Sequence, residues 1–152
     1  MCSDALKRTR LVGVNCTMFI YEVEIHECVL NSKPELIELS SVAELFKTLN
    51  SLDKVTPISV LVCVLRNGVD FGNFIFYLNN RNRTHVIVNE HQGFLVTEKD
   101  ETIDEPVNFI DERGEIFSVP FQKTMSFKRT LLCLELWLPS QEHSEKFLWL
   151  DN

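Results

Sequence analysis

The chain of 152 residues is poor in the signals that most catalytic and targeting functions need. Its five glycines (Gly13, Gly68, Gly72, Gly93, Gly114) are scattered, which excludes a glycine-rich phosphate loop and a GxSxG nucleophile elbow. The five cysteines (Cys2, Cys16, Cys28, Cys63, Cys133) form no CxxC pair and are odd in number, so neither a zinc site nor a disulfide framework is expected. Cys63 and Cys133 lie in apolar runs, where a free thiol behaves as a small hydrophobe, and reduced thiols fit a cytosolic protein. The four histidines (His26, His85, His91, His143) show no HxxxH spacing. No cofactor and no metal are expected. No apolar run approaches the roughly 20 residues that span a bilayer, so a soluble chain without a membrane partner is expected.

Positive charge is also thin. Arg81 and Arg83 are the one compact basic turn, and Lys123, Lys128 and Arg129 form a looser group. With a net charge of −7 there is no coherent basic face for nucleic acid. Lys7, Arg8 and Arg10 precede the apolar-leaning stretch 11–20 in the manner of a signal peptide, but Asn15 interrupts it, Glu22 and Glu24 follow, and no small-x-small cleavage site is present. Asn15 also precedes Cys16 where a lipoprotein would carry a small residue. Residues 1–17 therefore read as a weakly ordered extension ahead of a single domain over 18–152, with Met18 as an alternative start.

What the chain has is a local concentration of acid. The stretch 98–115, EKDETIDEPVNFIDERGE, carries Glu98, Asp100, Glu101, Asp104, Glu105, Asp111, Glu112 and Glu115 against Lys99 and Arg113, a net of −6. Residues 1–34 and 116–152 each balance, and 35–97 net −1. A field this local attracts and orients a cationic partner. The eight acids are the candidate contacts, with Val107 to Ile110 as an apolar anchor between two acidic flanks.

The rest reads as α+β. Phe19, Tyr21, Val23 and Ile25 alternate with Glu22, Glu24 and His26, a half-buried strand; Glu35 to Leu39 returns as its hairpin partner. Ser41 and Glu44 form a capping box before Val42, Leu45, Phe46, Leu49 and Leu52 at helical spacing, which predicts a helix over 41–52. Ile58 to Leu65 (ISVLVCVL) reads as a central strand buried on both faces. Arg66-Asn67-Gly68 and Asp70-Phe71-Gly72 mark a turn, and strands over 73–78, 84–88 and 94–97 complete a four-strand meander. Ile116 to Val119 is a strand or extended segment. Residues 126–138 predict a buried helix stopped by Pro139, a strand over 131–138 being the alternative, and 146–150 a closing strand. Trp137 and Trp149 belong to the core on this pattern. An antiparallel sheet of about five to seven strands packed by two main helices is expected.

The C-terminal stretch FIDERGEIFSVPFQKTMSFKRTLLCLELWLPSQEHSEKFLWLDN resembles the end of bacterial polymorphic-toxin immunity proteins, in the immunity family numbered one. The shared pattern is a polar turn (Glu112 to Glu115), an extended segment with Pro120, a helix over 126–138, and a terminal Phe147-Leu148-Trp149 strand. The order of the earlier elements is similar too, so the likeness covers roughly 18–152. Ser140 to His143 depart from the family's Gly-containing, Pro-ended turn, and 1–17 have no counterpart. The resemblance implies a non-enzymatic cytoplasmic protein that neutralises a cognate toxin domain, a nuclease or deaminase of a contact-dependent or secreted system. It does not assign contact residues or oligomeric state. Two other classes remain open: a small metal- or histidine-dependent hydrolase using His85 or His91 with a carboxylate, and an adaptor subunit, which calls for a broad exposed apolar patch.

Overall fold

The computed structural model describes residues 18–28, 32–53, 56–79, 82–98 and 105–152. Alternation in the sequence becomes a twisted antiparallel sheet whose strands, in order across it, are β10 (Phe147–Asp151), β6 (Gly93–Glu98), β5 (Arg83–Asn89), β4 (Val69–Leu78), β3 (Ile58–Arg66), β1 (Phe19–Glu27) and β2 (Glu35–Leu39). The meander β3 to β6 keeps sequence order, β1 and β2 extend one side, and the C-terminal β10 closes the other. The two-residue β9 (Met125–Ser126) pairs with the start of β5, and β7 (Val107–Ile110) and β8 (Ile116–Val119) form a separate hairpin. The α+β class holds, with more strands than the expected five to seven once β9 and the hairpin are included.

Both helices cover one face. Helix α1 (Val42–Asn50) places Leu45 and Leu49 at zero exposure, and α2 (Phe127–Trp137) buries Phe127, Cys133, Leu134 and Trp137. They meet the even-numbered residues of the central strands: Phe74 lies 5.8 Å from the Trp137 ring and Phe76 lies 5.9 Å from Phe127. Trp137 is core, as its surroundings predicted, and Trp149 is half-buried, packed against the same cluster with its ring on Phe94 and His143. Ser41 caps α1 by accepting the Glu44 amide at 3.1 Å, while the Glu44 carboxylate accepts from Ser40 N rather than from Ser41. The ambiguous 126–138 segment is a helix because Ser126 caps it, accepting the Arg129 amide at 3.2 Å.

Two local readings need correction. The β3–β4 turn is Asn67-Gly68 alone, both at positive φ, a two-residue hairpin turn. Asp70 to Gly72 belong to β4, where pairing slips between Cys63↔Asn73 and Leu65↔Asp70 and Gly72 adopts φ +120°. A Cβ at Gly72 would sit 2.9 Å from the Asn89 carbonyl, so glycine is required there. Second, β3 is central but only partly buried on its second face, where Ser59 alone is fully buried. Ile58, Val60, Val62 and Val64 are fully buried, whereas Leu61, Cys63 and Leu65 are half-buried on the side without helices. Cys28, Cys63 and Cys133 are free thiols, and burial is the leading cause that pushes the Cys28 thiol up to about 11 and that of Cys133 up to about 12. Cys2 and Cys16 lie outside the described residues, as does the whole reading of 1–17.

Candidate functional site

The face opposite the helices carries the features of interest. The β7–β8 hairpin lies over part of it: Val107, Phe109 and Val119 form a second buried cluster with Tyr77, Phe117 and Phe121 packed around it. This is the anchoring expected of Val107 to Ile110. Tyr77 and His85 are directly paired across β4 and β5, and their rings meet Phe117 at 5.2 and 5.7 Å.

The hairpin raises an acidic turn above the sheet. Asp111 organises it by accepting the amides of Arg113 at 2.9 Å and Glu115 at 3.0 Å, and these bonds, Glu115's foremost, lower its pKa. Arg113 reaches back to Asp111 and Glu115, each at 3.3 Å. Three carboxylates against one guanidinium leave the turn with two net negative charges. Desolvation first, and then the neighbouring Glu112 carboxylate, raise the Tyr77 pKa, so Glu112 lies near the rim of the aromatic cluster. Glu112 and Asp111 also push the Cys28 thiol upward, so the turn reaches toward the end of β1.

The eight candidate acids do not form one surface. Glu98 is half-buried beside α2, where its carboxylate accepts from Ser126 N at 3.1 Å and Ser126 Oγ at 3.4 Å. Asp100, Glu101 and Asp104 lie outside the described residues; Glu105 is exposed ahead of β7. Asp111, Glu112 and Glu115 are brought together.

Three further carboxylates share the turn's face of the sheet. Glu22 of β1 pairs directly with Glu38 of β2, and Glu24 follows two residues on. They line a depression of about 310 Å³ with Leu36, Leu61 and Cys63. Burial, then Asp70, Glu22 and Glu24, raise the Cys63 pKa, so these acids surround the thiol. In the sequence these acids are masked by nearby bases, Glu22 and Glu24 in the balanced stretch 1–34 and Glu38 in 35–97 at net −1, although the β1 alternation puts Glu22 and Glu24 on the outward side.

No protein-family model matches the chain, and no curated protein matches it.

The histidines do not converge. His85 stands among Tyr77, Phe109 and Phe117, its Nδ1 buried without a hydrogen-bond partner among the described residues, and burial lowers its pKa. His91 is exposed beyond the other end of β5, at the lip of a depression of about 420 Å³ with Asp70 and Glu90. Glu90 is already engaged, accepting from Trp137 Nε1 at 3.1 Å and facing His143 Nε2 at 2.9 Å. Asn89 donates to Asn73 within that same depression. Among the described residues no three His, Cys, Asp or Glu side chains group as metal ligands.

Proposed function

We propose that the chain is an immunity protein that binds and neutralises a cationic toxin domain, a nuclease or deaminase, through the acid-bearing face of its sheet. The observation that carries this reading is the turn Asp111 to Glu115, held above a face that also presents Glu22, Glu24 and Glu38. Carboxylates fixed in this way can pair with lysine and arginine in a cleft built for phosphate, and such pairing raises association rate and specificity above all. On this reading the protein is a cytoplasmic binder, and no step of catalysis is asked of it.

The first step of the test is to look in the neighbouring reading frames for a basic toxin domain, and the second is to measure its association with the chain. Replacing Asp111, Glu112 and Glu115 by Asn and Gln, and separately Asp100, Glu101, Asp104 and Glu105, is expected to slow association by about tenfold at low salt and by much less at high salt. Unchanged rate and affinity in both sets overturn the charged-face reading. A second reading, an adaptor subunit, draws support from exposed apolar residues on this face, Leu36 at 74% exposure and Leu150 at 38%.

A further inference from the structure

Sheet register turns a scattered set of apolar residues into a line. Leu36 pairs with Glu24, Glu24 with Leu61, Leu61 with Ile75, Ile75 with Ile87, Ile87 with Leu95, and Leu95 with Leu150. One row thus crosses all seven strands on the face away from the helices, apolar throughout except at Glu24. None of its six apolar members packs in either buried cluster; Leu36 and Leu150 are exposed and the inner four half-buried. An antiparallel sheet with a free face ordinarily carries polar side chains there, so leucine and isoleucine in register across it mark a contact surface.

The row has two banks. On one side lies the hairpin with its acidic turn, packed on Tyr77 and His85 in the next rank of the sheet. On the other side the next rank runs Glu38, Glu22, Cys63, Asn73, Asn89. An apolar floor with acids on both banks at its β1–β2 end fits one class of occupant. We propose that this row is the docking floor for an amphipathic segment of a partner protein, apolar beneath and lysine- or arginine-bearing at the end that meets β1 and β2. The inference rests on the reading of the protein as a binder of cationic domains and names the apolar half of that contact. A second copy of the chain fits poorly, because it would bring Glu22, Glu24 and Glu38 onto another acidic face. Six inter-strand steps of roughly 4.8 Å span about 29 Å, a length that a helix of about 19 residues covers. Such a segment buries its apolar stripe by the helix-in-groove mode.

The probe is a synthetic amphipathic peptide of about that length with leucine on one face and lysine on the other, compared with its leucine–glutamate counterpart. Titrated into the full chain, the lysine peptide should shift the methyl resonances of Leu61, Ile75, Ile87, Leu95 and Leu150 and bind at least about tenfold tighter than the glutamate peptide. Ile75→Thr with Ile87→Thr, which keeps strand-forming residues, should weaken binding by about tenfold or more. Glu22→Gln with Glu38→Gln should weaken it without touching the floor. Equal binding of the two peptides, or shifts confined to the helical face, overturns the proposal. So does self-association of the free chain that Ile75→Thr abolishes, since that gives the face to a second copy. A neighbouring toxin domain that fails to bind, alongside a lysine peptide that does, sinks the immunity reading and leaves the docking floor standing.

Discussion

His85 shows how a residue that looks catalytic in a sequence becomes structural in a fold. Its ring packs against Tyr77, Phe109 and Phe117, its Nδ1 has no hydrogen-bond partner among the described residues, and burial holds its pKa below the ordinary 6.5. The sign of the resulting pH dependence follows from linkage. Below about pH 6.5 the unfolded chain takes up a proton at this position that the folded chain refuses. Stability attached to His85 is therefore full above that pH and falls on acidification, by at most about 1.4 kcal/mol per pH unit. His85→Phe keeps an aromatic ring in the cluster and removes the titration. Urea unfolding of the two proteins at pH 7 and pH 5 should show a smaller loss for the variant. Equal losses would mean that the histidine titrates alike in both states, and would overturn this account of His85. Asp111 contributes in the same direction at lower pH, because its pKa is depressed by the turn it organises.

Glu98 belongs to helix α2 more than to any partner. The last residue of β6 sends its carboxylate to the amide of Ser126, the residue that caps α2, and so supports one of the helix's orphan donors from outside the segment. Glu98→Ala is expected to lower stability by about 1 kcal/mol, similar to Ser126→Ala, and to leave the association rate with a cationic partner within about twofold of the parent. A stable variant that associates several-fold more slowly would return Glu98 to the interface. The case also shows what was legible beforehand. Periodicity located β1, both helices and the meander to within a few residues, because alternation and helical spacing are local properties. The capping role of Glu98 was not legible, since it depends on β9 pairing with β5 some forty residues away. The free face of β3 was hidden for a related reason. ISVLVCVL looks equally apolar on both sides, and only register reveals that Leu61 joins Ile75 and Ile87 on the side without helices.

The charge of −7 acquires direction once strands are placed. Acids from β1, β2 and the hairpin turn gather on one side of the sheet, including Glu22 and Glu38 as direct cross-strand neighbours. Like charges opposite each other in a sheet destabilise it, and no cation forms an ion pair with either among the described residues. A fold selected for stability alone would not keep that arrangement, whereas one selected to meet cations gains from it. The two demands predict opposite signs for one pair of substitutions. Glu22→Gln with Glu38→Gln should raise unfolding stability by about 0.2–1 kcal/mol in low salt, while slowing association with a cationic domain. Both effects should shrink toward zero near 1 M salt, where the screening length is about 3 Å. Denaturant midpoints and stopped-flow association rates measured on the same two proteins decide the matter. Loss of stability on neutralisation would make these carboxylates part of the scaffold, and their place on the open face would then carry no functional meaning.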